Sequence, residues 1–233
     1  MRNAMAFFLV FAAMGCGGSE PPPRQPESAH DSSQKAVPLV AKTSQELGSI
    51  DPKAVRRAFG ALDEKYMECQ KRALGRIELV AGNVKFFLRI GSEGTAKWAY
   101  LEESEIGDRE TEKCLVDVVM SAQWPKPDAG DAEVRYAMEL PLQAARPPSD
   151  WSPDKVAGAL GKNGEAIDKC KAGAGTTFRA TMYVGPGGKV LSAGVATSSK
   201  EAQESANCLA KALVKMKGLP SPGSWPAKVT FPL

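Results

Sequence analysis

Pro52, Val55, Phe59, Tyr66 and Cys69 recur 101 positions later as Pro153, Val156, Leu160, Ile167 and Cys170. Ile90, Gly91, Gly94 and Cys114 recur 94 positions on as Val184, Gly185, Gly188 and Cys208. Pro125, Pro127, Val134 and Tyr136 recur 95 positions on as Pro220, Pro222, Val229 and Phe231. The offset changes only between these blocks, where loops absorb insertions and deletions. Chance similarity does not hold register across three blocks. Residues 50–142 and 151–233 are therefore read as two copies of one small domain, joined by a linker over 143–150.

Each copy carries the same signals in the same order. Val55, Phe59, Leu62, Tyr66 and Cys69 follow helical spacing and predict a first helix with one apolar face. Pro52 suits its first turn, where a missing N–H is harmless. Val156, Leu160, Ile167 and Cys170 repeat the pattern, weakened by Gly158, Gly161 and Gly164. Next come "NVKFFLRI" and "TAKWAYLE" around "GSEG", and "TFRATMYV" and "KVLSAGVA" around "GPGG". Apolar, β-rich runs about a short glycine turn predict hairpins. A second helix is expected over 108–122 and 200–216, ended by the proline pairs. The last strands are "EVRYAMEL" and "KVTFPL". The predicted fold is α+β: tandem α-β-β-α-β units, each a small antiparallel sheet with its helices on one face.

The glycine stretch "YVGPGGKVLSAG" resembles a phosphate-binding loop, but such a loop joins a strand to a helix and follows its Lys with Ser or Thr. Here Val190 follows Lys189 and a strand comes next, so a turn is predicted. The rest of the chain offers little to catalysis. The single histidine, His30, lies outside both repeats. No HExxH or CxxC motif occurs, and no metal or cofactor is expected. The acidic run "EESEIGDRETEK" lacks the ligand pattern of a calcium loop. Asp108, Glu110 and Glu112 read instead as first-turn acids that complement a helix dipole. Trp98, Trp124, Trp151 and Trp225 read as core or hinge residues.

Of five cysteines, Cys16 stands alone and the other four fall two per repeat. Four thiols permit three pairings. The duplication favours Cys69–Cys114 and Cys170–Cys208, each joining the end of the first helix to the second. These bridges close loops of 45 and 38 residues, worth roughly 3.5–4.5 kcal/mol each by chain entropy. Units this small need such staples, and the bridges require an oxidising compartment.

The N-terminus points to one. "MRNAMAFFLVFAAMGC" has a basic start, an apolar run and small residues before Cys16. The run is too short for a membrane span, which needs about 20 residues, and matches a secretory signal over 1–15. Ala13-Met14-Gly15-Cys16 resembles a bacterial lipobox, with Ala13 where Leu is usual. That resemblance implies lipidation at Cys16; the alternative is plain secretion with Cys16 a free or discarded thiol. Residues 16–49, rich in proline and polar side chains, read as a disordered tether spanning roughly 30–35 Å. Gly17 and Gly18 follow the cysteine with no Asp beside it, which by the lipoprotein sorting rule implies the outer membrane.

Charge also divides the chain. Residues 50–142 carry 14 basic and 17 acidic side chains, hence −3, whereas 151–233 carry 11 and 5, hence +6. Lys211 and Lys215 lie one helical turn apart, with Lys217 beyond. They read as a solvated face or as a contact for anionic polymer or lipid headgroups. An exported chain without aromatics among its lysines is not expected to bind nucleic acid.

The two units resemble the AgmX/PglI C-terminal domain, a family associated with gliding motility and related in fold to the TonB C-terminal domain. The resemblance lies in Cys69 and Cys170 at the end of helix one, the turns Gly91–Gly94 and Gly185–Gly188, and Cys114 and Cys208 in helix two. Trp124-Pro125-Lys126-Pro127 with Gly130, and the terminal "VTFPL", also match. Leu219 replaces the aromatic in the second unit, and the first lacks the terminal Phe-Pro. The resemblance implies a non-enzymatic envelope protein that binds other proteins through a last strand able to accept a partner segment. The edges implied are 132–140, with Val134 and Tyr136, and 227–231, with Val229 and Phe231. Without an uncleaved membrane helix, no energy transducer is expected. The expectation is a lipid-anchored protein-binding module; the rival is a soluble periplasmic protein that binds anionic envelope polymer through its basic second unit.

Overall fold

A computed structural model of the chain describes residues 47–233. The expected signal over 1–15, Cys16, His30 and most of the expected tether lie outside the described residues. Residues 47–49, assigned above to the tether, are docked: Gly48 N–H donates to the Asp131 carbonyl and Asp128 N–H to that of Ser49.

The predicted first helix is two helices in each repeat. In repeat 1, α1 (Pro52–Gly60) and α2 (Asp63–Leu74) are separated by a short turn. Asp51 caps α1, accepting from the N–H groups of Lys53 and Ala54 with Pro52 in the first turn. Gly60, a poor helix former, ends it, and Leu62, at φ −100° and ψ 0°, sits between the two helices with its side chain buried. In repeat 2, α4 (Asp154–Lys162) and α5 (Gly164–Lys171) are separated at Asn163. Its side-chain amide donates to the Ala159 carbonyl at 2.8 Å and to that of Lys217 at 3.2 Å. A short amide between two glycines competes with the helical ladder and stops it. The order is thus α-α-β-β-α-β.

In repeat 1, β1 (Gly82–Ile90), β2 (Ala96–Ser104), α3 (Arg109–Met120) and β3 (Ala132–Leu140) follow. Their sheet runs β2-β1-β3, antiparallel throughout. Repeat 2 has β4 (Ser149–Asp150), β5 (Phe178–Val184), β6 (Val190–Thr197), α6 (Gln203–Val214) and β7 (Ala227–Pro232), in a sheet of order β4-β7-β5-β6. The architecture is α+β.

The alternation of β1 sends Val84, Phe86 and Leu88 into a core with Phe59, Tyr66 and Cys69 from the first helices and Leu115 and Val119 from α3. Each such large side chain contributes about 1.5–3 kcal/mol by leaving water. In repeat 2, Ala180, Met182 and Val184 meet Val156, Ile167, Leu209 and Leu213 in the same way. Disulfides Cys69–Cys114 and Cys170–Cys208 tie the first helical segment to the second in each core, with Cα–Cα separations of 5.8 and 5.4 Å.

The glycine stretches are turns. Gly94 and Gly188 occupy matching positions at φ +79° and +76°, a region that favours glycine. A Cβ at either would lie 2.4 Å from the Trp124 carbonyl oxygen or 2.2 Å from that of Leu219. Both turns therefore pack on the segment before the last strand. Trp124 is core, its ring against Phe59 and its indole N–H donating to the Val119 carbonyl at 3.1 Å. Trp151 and Trp225 flank the two cores.

Candidate functional site

A small α+β fold can meet a partner through open sheet edges and clefts. The edge of β7 is partly closed. Residues 149–150, read from sequence as linker, pair with it in parallel, Ser149 opposite Ala227 and Asp150 opposite Lys228. Trp151 N–H extends the seam to the Lys228 carbonyl at 2.9 Å. Only the stub 229–232 lacks a partner, and Val229 and Phe231 are buried in the second core, 2 % and 1 % exposed. Of the expected edge 227–231, residues 227–228 are thus covered and 229–231 have no strand on that side among the described residues.

The edge of β6 is held at Val195 by repeat 1. Arg109 and Glu112, one turn apart on α3, clasp Val195: the Glu112 carboxylate accepts its N–H at 2.9 Å, and Arg109 donates to its carbonyl at 3.1 Å. At that one residue two side chains take the place of a neighbouring strand. Glu112 is fully buried, ion-paired to Arg109 at 3.2 Å, and accepts the Ser104 hydroxyl at 2.7 Å. Burial raises its pKa above the ordinary carboxylate value, against the opposing pull of Arg109 and these hydrogen bonds. Arg109 reaches on to α6, donating to Asn207 and Gln203, both at 2.9 Å. Asp108 does cap α3, accepting from Thr111, and pairs with Arg76 at 2.8 Å. Glu110 and Glu112 do lie in the first turn of α3, and Glu112 in addition reaches across to the second repeat.

The helix-free face of the second sheet completes this seam. Tyr183, fully buried, donates to the Leu79 carbonyl at 2.7 Å and counts in the core of repeat 1 along with Ala196. Thr181 donates to the Ser104 carbonyl at 2.9 Å, Ser192 to Gly107 at 2.6 Å and Lys228 to Ala81 at 2.8 Å. The repeats form one packed body rather than beads on a string. A sequence signal existed: β6 reads "VLSAGVAT", without a charge on either face, as strands buried on both sides do.

Among the described residues, the outer side of β2 has no paired strand, and the edge of β3 is likewise long and open. Its nine residues pair with β1 alone. Val134 and Tyr136 do not point along that edge. They face the helices, and Tyr136 stacks on Phe59 with ring centroids 3.8 Å apart. The exposed side chains of β3 are Glu133, Arg135, Ala137 and Glu139. On that open face Arg135 lies 4.7 Å over the Phe87 ring, which stacks on Tyr100 at 5.0 Å.

Of the three expected basic residues, Lys211 and Lys215 line a cleft between α3 and α6, about 590 Å³ in volume. Lys217 lies beyond the helix end and is exposed. Lys113, Leu191 and Val214 also line the cleft. Among the described residues, no three His, Cys, Asp or Glu side chains are grouped as metal ligands, and no helix is long and apolar enough to cross a membrane. Compared with protein-family models, with curated proteins and with solved structures, the chain matches none.

Proposed function

We propose that this chain is a non-enzymatic lipoprotein of the cell envelope, anchored through Cys16, whose two TonB-like repeats bind an envelope protein by strand addition. The reading draws on the lipobox-like "AMGC", on the disulfide-stapled repeats and on the resemblance to the AgmX/PglI domain. The observation that carries it is the distribution of edges. The nine residues of β3 pair with β1 alone, which leaves an extended row of main-chain groups on their outer side, whereas β6 is clasped at Val195 and β7 is covered over 227–228. Edges left bare invite pairing with another chain, and Glu133, Arg135 and Glu139 along β3 would select a partner strand by charge while guarding against indiscriminate pairing.

The test has two arms. Cys16→Ala releases the protein from the membrane fraction if the anchor is real. A photo-crosslinking residue placed at Ala137 should capture an envelope protein that one at Glu165, on α5, does not. With that protein purified, hydrogen exchange at the amides of 133–139 should slow on complex formation. Unchanged exchange along β3 in a formed complex removes strand addition.

A further inference from the structure

The cleft between α3 and α6 lies apart from β3 and has chemistry of its own. It is walled by one helix from each repeat, so neither repeat alone could form it. Five cationic side chains line it, but Arg76 is bound to Asp108 and Glu110, and Arg109 to Glu112. Lys113, Lys211 and Lys215 make no ion pair among the described residues. Against them stands one carboxylate that is likewise unpaired, Glu204 in the first turn of α6. Between the lysines lie Leu191 and Val214, 42 % and 44 % exposed, two of the four large apolar side chains most open to solvent among the described residues. Leu191 is the residue extruded where β6 slips register against β5, between the Tyr183–Ser192 and Val184–Val190 pairs. A bulge re-aims a side chain, and such bulges cluster at functional surfaces.

The geometry points to a docking site for an acidic segment of a partner protein that carries aliphatic side chains. Unpaired ammonium groups around exposed aliphatic carbons complement carboxylates alternating with Leu, Ile or Val. The concave form favours a single chain over a bilayer, because a flat lipid surface cannot reach the floor between two helices. A purely charged polymer would leave Leu191 and Val214 uncovered. The contact differs from strand addition: it uses side chains, not main-chain edges, and it spans both repeats.

The test uses the full chain and a short fluorescein-labelled peptide alternating Glu with Leu, read by fluorescence anisotropy. A Glu–Ser peptide, a Lys–Leu peptide and phosphatidylglycerol vesicles serve as the other arms. The Glu–Leu peptide should bind. Lys211→Glu with Lys215→Glu should weaken it by about tenfold or more, and Val214→Asp by a comparable factor. All three positions are exposed, so folding should survive. Lys211→Gln with Lys215→Gln, checked by thermal melting, gives the same direction with less perturbation. Equal binding of the Glu–Ser peptide, binding only to vesicles, or an affinity indifferent to these substitutions overturns the proposal. Crosslinking at Ala137 should be unaffected by the lysine variants, so this site and the β3 edge fail or stand separately.

Discussion

The carboxylate of Glu112, in the first repeat, accepts the main-chain N–H of Val195, in the second, at 2.9 Å and in full burial. With Arg109 on the Val195 carbonyl, this contact fastens the edge of one sheet at Val195 to a helix from the other copy. Removing one partner of a buried ion pair leaves the other charged and alone, which costs about 3–5 kcal/mol. Glu112→Ala is accordingly expected to lower the melting temperature by about 2–4 °C for each kcal/mol lost. Glu112→Gln keeps an acceptor and should recover part of it. Calorimetry checks both, and an unshifted Glu112→Ala transition would show that the clasp is ornamental.

The same carboxylate should make stability depend on pH. Its folded pKa is raised by burial, so between the unfolded and folded values the native state holds the extra proton. Stability linked to this group is then greatest below the unfolded value, near the ordinary 4.5 of glutamate, and declines as pH climbs through the folded one. Glu112→Gln cannot lose a proton there. The stability of the natural chain relative to that variant should fall with rising pH above 4.5, measured by urea unfolding across a pH series. A constant difference would mean that Arg109, Ser104 and Val195 fully offset the burial.

How much of this was legible beforehand differs by kind of contact. The cysteine pairing followed from Cys69 and Cys114 recurring as Cys170 and Cys208, because duplication preserves what each copy needs for itself. The seam between copies left no such trace, since each copy contributes different residues to it. Tyr183 occupies the position of Arg89, and Gly194 that of Tyr100. Periodicity likewise placed Glu112 on a helix but could not say what lay opposite. The helix breaks at Leu62 and Asn163 were hidden because the buried stripe continues through them. The strand at 149–150 was too short to register.

Tyr183 offers a third measurement. Its hydroxyl donates to the Leu79 carbonyl at 2.7 Å while its ring rests against Gly107, where an added Cβ would lie 2.8 Å away. Tyr183→Phe keeps the ring and orphans a buried acceptor, at about 1–3 kcal/mol. Gly107→Ala adds strain at φ +66° as well as the clash, and should destabilise the seam more. Chemical denaturation of the two variants should rank them in that order.

The disulfides make a fourth case. Each closes a long loop, with sequence separations of 45 and 38, and chain entropy assigns about 3.5–4.5 kcal/mol to either. Peptide mapping of unreduced protein should recover both bridges within repeats. Replacing Cys170 and Cys208 together by Ala should destabilise repeat 2 at least as much as the matching change in repeat 1, because glycines at 158, 161 and 164 leave its first helices weaker on their own. Urea unfolding followed at Trp124, with the other three tryptophans replaced, reports the first core and should separate the two variants.

Gly194 allows the clasp to be tested without touching a charge. A Cβ there would fall 2.1 Å from Oε1 of Glu112. The backbone at Gly194 is ordinary strand, so alanine meets no conformational penalty of its own, and the whole effect should come from displacing the carboxylate. Overpacking of that kind costs about 1–3 kcal/mol. The distinguishing experiment is a double-mutant cycle. In the Glu112→Ala background the obstacle is gone, and Gly194→Ala should become nearly neutral or mildly stabilising. Groups that share one contact couple in this way, whereas independent sites add. Additive losses in the cycle would mean that Gly194 is small for some reason other than Glu112, and that the approach of helix to strand edge does not set the spacing between the repeats.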